Sequence, residues 1–242
     1  MCSQWLMSSL AISTASIQPQ ASGAEAAVQS LVNRLEEDIV LGYLQPRERL
    51  VEDVVIERYA AKRHAVREAL ARLERIGLVE RQPNRGATVR ALKPRDVEEI
   101  YAVREILELA AAKEVAGRAT AEDIQRVVDA QQQHDDAVSN ADPKSAFRAN
   151  ICFHQTFFSA CGNAELIGAI NLYGQKAHAV RSFSIGKPNY LARSREEHWA
   201  IIGALKARDE QQLLTVCRDH IRVARDAYIE TYRHRFPVAP AV

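Results

Sequence analysis

The 242-residue chain lacks most features of a secreted or membrane protein. Its four cysteines (Cys2, Cys152, Cys161 and Cys217) have no paired spacing, which argues against a disulfide framework and for packed, reduced thiols. No apolar run approaches the roughly 20 residues that cross a bilayer. The weakly apolar stretch 6–12 has no basic segment before it, so the pattern of a secretory signal is missing. Residues 1–27 are low in charge and rich in Ser, Ala and Gln, and are expected to form a disordered tail. These absences point to a cytoplasmic protein without a membrane partner. The net charge of +1 gives no overall reason to expect nucleic acid.

Locally the balance is different. From Lys62 to Arg90 there are eight basic residues and three acidic ones. Such a patch is the electrostatic footprint of phosphate binding. Within it, Val66, Ala69, Leu70 and Leu73 recur at i, i+3, i+4 and i+7, the pattern of a helix with one buried face. Arg63 and Arg67, four apart, project together near the start of another face, with His64 beside them. A helix of this kind fits the major groove, where an arginine fork can take guanine O6 and N7 together. Residues 78–81 and 87–90 then read as strands, with Pro83-Asn84-Arg85-Gly86 as a tight turn between them. Upstream, residues 28–41 (Val28, Leu31, Val32, Leu35, Ile39) and 50–59 read as two further helices. Three helices followed by a hairpin make a winged helix-turn-helix.

With these residues in view, 28–92 resembles the DNA-binding domain of the GntR family of bacterial transcription regulators. The resemblance rests on Gly42, Leu44, Pro46, Leu50, Glu52, Arg63, Val66 to Leu70, Leu73, Gly77 to Val79, Arg85-Gly86 and Val89. Lys62 stands where the family has a helix-capping Ser, so a cap worth about 1 kcal/mol is missing, and a phosphate contact is the expected use of the lysine. Ala65 replaces the family Pro, Arg47 replaces a turn Gly, and Asp53 stands where some relatives carry a DNA-contacting Arg. The DNA-binding residues implied are Lys62, Arg63, His64, Arg67, Arg85 and Gly86, with Arg63 and Arg67 reading bases.

Beyond Lys93 there is little strand signal, and helix punctuation recurs: Pro94, Thr120 with Asp123, Asp142-Pro143, Gly162-Asn163, Pro188-Asn189 and Arg208-Asp209. These mark about six helices, over 94–116, 121–139, 143–161, 164–183, 189–207 and 209–234. The chain is therefore expected to be mainly α, with a tail (1–27), a winged helix-turn-helix (28–92) and an all-α six-helix-type bundle (93–235).

Three histidines stand oddly in that bundle. His154, His198 and His220 fall on the apolar, inward stripes of three different helices, and Asn150 lies one turn before His154. One core histidine ordinarily finds a carbonyl. Three together are costly to bury unless they share a partner, and a metal ion would satisfy all of them. His64, His134, His178 and His234 do not fit this pattern and read as ordinary.

Residues 94–233 resemble the FCD effector domain of the FadR subfamily of GntR regulators, through Arg104 with Leu107-Glu108, Asn150 to His154, Gly162-Asn163, Glu197-His198 with Ile201, Ala204-Leu205 and Asp209, and His220. The resemblance implies a divalent metal, zinc or nickel, held by residues 150, 154, 198 and 220 in a pocket for small carboxylates. The family has Asp where this chain has Asn150. An amide oxygen brings no charge, so the ion should be held less tightly. Arg104 and Arg181, at the edges of inward stripes, are the candidate partners of a carboxylate effector, because an Arg fork holds both oxygens. The implied protein is a homodimeric, ligand-responsive regulator binding operator DNA, with repression relieved by ligand as the family's commoner mode. The rival classes are a hydrolase-like metalloenzyme with a DNA-binding head and a sensor of the metal ion itself. Against the enzyme, Glu197 adjoins His198 but helical geometry points it elsewhere, and no general base stands beside the histidines.

Overall fold

The computed structural model describes residues 23–82, 86–181 and 188–235. It divides into two compact units, Met1–Ala91 and Leu92–Val242. In the first, the order is α1 (Gly23–Val40), β1 (Arg49–Leu50), α2 (Glu52–Tyr59), α3 (Arg63–Arg75), β2 (Val79–Gln82) and β3 (Gly86–Val89). Helix α1 starts earlier than its apolar pattern, so residues 23–27, expected in the tail, are its first turns. Val28, Leu31, Val32, Leu35 and Ile39 are buried, and α1 packs on α3. The facing stripe of α3 is Ala65, Val66, Ala69, Leu70 and Leu73. Burial of Val66, Leu70 and Leu73 stabilises by about 1.5–3 kcal/mol each, which overrides the missing cap at Lys62.

The three strands form an antiparallel sheet in the order β1-β3-β2. Val79 pairs with Val89 and Gln82 with Gly86, so β2 and β3 make the expected hairpin. The two-residue β1 carries too few positions to show a period, and sequence reading missed it. Gly86 has φ +82, and a Cβ there would lie 2.3 Å from the Leu50 carbonyl oxygen. The close approach of β1 therefore requires glycine at this position.

The second unit holds α4 (Pro94–Arg118), α5 (Ala121–Ser139), α6 (Pro143–Ser159), α7 (Ala164–Lys176), α8 (His178–Arg181), α9 (Pro188–Ala207) and α10 (Glu210–Arg235). The capping residues act as the sequence suggests. Thr120 Oγ1 accepts from Asp123 N at 3.1 Å while Asp123 Oδ2 accepts from Thr120 N at 2.8 Å. Asp142 Oδ1 accepts from Lys144 N and Ser145 N, and Asn163 Oδ1 from Leu166 N. The single helix expected over 164–183 is instead two. The Ala177 N–H is shared between the carbonyls of Tyr173 and Gly174, a tightened last turn that ends α7. Phe153, Phe157, Ile201, Ile202, Leu205 and Leu213 form the centre of the core. Cys161 and Cys217 are free and buried. Cys152 is disulfide-bonded, so the expectation of reduced thiols does not hold there.

Candidate functional site

In the first unit, α2 and α3 are joined through Ala60, whose left-handed φ of 51° ends α2. This is the turn of a helix-turn-helix. Lys62, Arg63, His64 and Arg67 are exposed at the start of α3, on the side away from its buried stripe. The two arginines lean on acids of α2. Arg63 reaches Asp53 at 2.7 Å and Glu52 at 3.7 Å, and Arg67 reaches Glu52 at 2.9 Å. Arg63 and Arg67 keep more than half of their side-chain surface open, so these are solvent-screened pairs that orient the guanidiniums without locking them. Of the other expected DNA contacts, Arg85 lies outside the described residues, and Gly86 has the structural role given above.

In the second unit, α6, α9 and α10 bring His154, His198 and His220 together, with one ligand atom from each within 4.8 Å of the others. His154 Nε2 and His220 Nε2 are 3.2 Å apart. Two nitrogens bound at 2.0–2.1 Å to one tetrahedral ion would be roughly 3.3–3.4 Å apart, so the spacing fits a shared ion. The outer nitrogens are anchored. His220 Nδ1 faces Glu197 Oε2 at 2.8 Å and His198 Nδ1 faces Gln131 Oε1 at 2.7 Å. Burial, reinforced by the neighbouring His220, holds both His154 and His198 well below the ordinary histidine range, so their lone pairs are available. Burial opposes charge on Glu197, but hydrogen bonds from His220 and Arg193 outweigh it and keep its carboxyl ionised. The donor set suits a divalent ion.

The expected fourth ligand departs from this arrangement. Asn150 stands beside His198, but its Oδ1 accepts from the Arg181 guanidinium at 2.9 Å. An arginine only donates, so the oxygen must face Arg181. The amide NH2 is left 3.4 Å from both His198 Nε2 and Ser194 Oγ. Asn150 thus turns its only metal-binding atom away from the histidines.

The two candidate effector arginines also differ. Arg104 is buried and paired with Glu108 at 2.8 Å, four residues along the same helix. Arg181 is 9% exposed, and among the described residues no carboxylate pairs with it. Both line a cavity beside the histidines, with Asn150, Tyr190, Ser194 and His220, whose free volume is about 20 Å³. That is the room of about one water molecule, so any larger occupant must displace side chains.

Three residues of this site escaped the sequence reading. Glu197, expected to point elsewhere, holds His220. Gln131, on a polar stretch of α5, holds His198. His134, read as ordinary, is fully buried with its ring 5.0 Å from that of His198 and no hydrogen bond at either nitrogen. Burial lowers its pKa to about 4.

Comparison with known proteins decides the family. Residues 27–89 match the bacterial regulatory proteins of the gntR family, and residues 99–223, just over half of the chain, match the FCD domain. The chain belongs to the GntR family and carries an FCD domain. It is 28% identical over 200 residues to the uncharacterized HTH-type transcriptional regulator BphR of Paraburkholderia xenovorans (strain LB400), covering 80% of this chain and 82% of that protein. It is 26% identical over 206 residues to the HTH-type transcriptional regulator LutR of Bacillus subtilis (strain 168), covering 76% and 93%. The fold resembles that of the solved Escherichia coli McbR/YncC, with a TM-score of 0.74 at 21% identity over 85% of this chain and 98% of that one. This GntR regulator is a DNA-binding transcription regulator rather than an enzyme, and the histidines belong to its FCD domain. Among the described residues no helix is long and apolar enough to cross a membrane.

Proposed function

We propose that this regulator is a cytoplasmic homodimeric repressor of the FadR subfamily, whose FCD domain holds a divalent metal and releases operator DNA on binding a small carboxylate. The observation that carries the reading is Arg181. A guanidinium nine-tenths buried against a neutral amide is an uncompensated charge, and such a charge is expensive without an anionic partner. It stands beside three histidines suited to an ion with open coordination positions. A carboxylate bound there completes both charges, one oxygen toward the metal and the fork of Arg181 on the acid. Arg104, already neutralised by Glu108, would shape the cavity more than bind the acid. The metal, zinc or nickel, would be held by His154, His198 and His220, joined by Asn150 only if its amide turns over.

On the DNA side, Arg63 and Arg67 read base edges, His64 and Lys62 lie alongside on sugar and phosphate, and the hairpin residues Arg85 and Gly86 reach the backbone or minor groove. The DNA-binding domain would then begin with α1 at Gly23, earlier than the expected 28, and the effector domain would follow from about residue 92. A repressor role is supported by similarity to the HTH-type transcriptional repressor RspR of Escherichia coli (strain K12), 24% identical over 209 residues. Dimerisation is supported by an apolar face on α4, where Ile106 is 70% exposed between the exposed Ala102 and Ala110. Thermal-shift screening of short mono- and dicarboxylates against zinc-loaded and chelator-treated protein tests the reading. An acid that stabilises only the zinc-loaded form is expected. Stabilisation by no acid in either form would refute the carboxylate assignment.

A further inference from the structure

We propose that Asp135, outside the histidine cluster, positions His198 by fixing its tautomer through Gln131, and so decides whether His198 Nε2 can bind a metal. This rests on the reading of the three histidines as a metal site. The deduction follows from which groups can only donate and which can only accept. The Trp199 indole N–H only donates, and it reaches Asp135 Oδ2 at 2.8 Å. The carboxylate only accepts, so the group facing Asp135 Oδ1 at 2.6 Å must be the Gln131 amide NH2. That leaves Gln131 Oε1 facing His198 Nδ1 at 2.7 Å. A carbonyl only accepts, so Nδ1 carries the hydrogen, and a neutral imidazole then has its lone pair at Nε2.

The other contacts agree. Nε2 is the atom to which Asn150 offers its NH2 at 3.4 Å. His134, the other α5 imidazole packed on His198, makes no hydrogen bond and offers no competing anchor. Gln131 and His198 are both fully buried, so water cannot stand in for either. The relay joins α5 to α9, and Asp135 reaches His198 through Gln131, its own two hydrogen bonds going to Gln131 and Trp199.

Asp135→Asn inverts the relay with almost no change of shape. Trp199 still donates, so the oxygen of the new amide must face it and its NH2 must face Gln131. Gln131 then offers Oε1 outward and its own NH2 to His198 Nδ1, which moves the hydrogen to Nε2. Long-range proton–nitrogen NMR of histidine-labelled, metal-free protein should show the Nδ1–H tautomer at His198 in the wild type and Nε2–H in the variant. Zinc affinity, read by competition with a chelating dye, should fall about 10- to 100-fold. Adding Trp199→Phe removes the fixed donor, lets the amide turn its oxygen back to Gln131, and should restore both the tautomer and the affinity. A purely structural role for Asp135 would instead make the second substitution worsen the first. Retention of Nδ1–H at His198 in folded Asp135→Asn protein overturns the proposal. Wild-type protein that shows the Nδ1–H tautomer yet binds no zinc overturns the metal reading alone.

Discussion

Replacing each of the two arginines beside the histidine cluster should have opposite consequences for stability, and the contrast follows from their partners. Arg181→Met removes a buried guanidinium whose acceptor is the neutral Asn150 amide. Replacing even a paired set of buried charges by apolar side chains is often neutral or stabilising by about 1–4 kcal/mol, and a buried charge without a carboxylate partner should gain at least in the same direction. For a chain of this size that raises the melting temperature by roughly 2–4 °C per kcal/mol. Arg104→Met removes one half of a buried pair and strands Glu108, which is 4% exposed at its side chain. Breaking such a pair costs about 3–5 kcal/mol. Differential scanning calorimetry of ligand-free protein reads both. The acid response separates them further, because Arg181→Met should lose stabilisation by carboxylates whereas its own fold gains. An Arg181→Met protein less stable than wild type, and still stabilised by the same acid, would refute the reasoning.

Other perturbations give distinct outcomes. Arg63→Ala or Arg67→Ala should each cost about 1–3 kcal/mol at a guanine and relax selectivity at one operator position, which footprinting and binding-site selection measure. His154→Ala should lower both zinc content and melting temperature, whereas Asn150→Asp should raise zinc affinity, since a carboxylate adds the charge the amide lacks; metal analysis after controlled loading checks both. Gly86→Ala should destabilise the winged unit, because the added methyl meets the Leu50 carbonyl at 2.3 Å on a left-handed backbone, and thermal melting should show it. At the start of α5, hydrogen bonds from the Thr120 backbone and hydroxyl hold the Asp123 carboxyl below its usual range. Its contribution to stability is present above the unfolded aspartate value near 3.9 and is lost as pH falls through the lower folded value, so Asp123→Asn should flatten the acid limb of the stability profile.

The sequence revealed positions better than partnerships. The apolar stripes that placed α1 and α3, and the caps at Thr120, Asp142 and Asn163, act locally, and local signals survive folding. The convergence of His154, His198 and His220 was legible for the same reason: a polar residue on an inward stripe must meet something inside. What failed depended on contacts between residues far apart in the chain. Gln131 lies 67 residues from His198, and Asn150 faces its neighbour across 31 residues, so no periodicity could show which way either amide turns. The periodicity of α9 alone points Glu197 away from the histidines, but its partner His220 comes from α10, a contact that a single helix does not encode. The two-residue β1 and the break at Ala177 are set by pairing and by shared hydrogen bonds, neither of which has a composition.

The central claim, that a carboxylate acting at the histidine cluster controls DNA binding, is tested most directly by fluorescence anisotropy on an operator selected from random DNA. Wild-type protein should be titrated with and without zinc against a panel of two- to six-carbon mono- and dicarboxylates. The account predicts that at least one acid weakens operator binding tenfold or more in the zinc-loaded protein and that Arg181→Met abolishes the response. Release of the operator by zinc alone, or unchanged affinity with every acid, would contradict it.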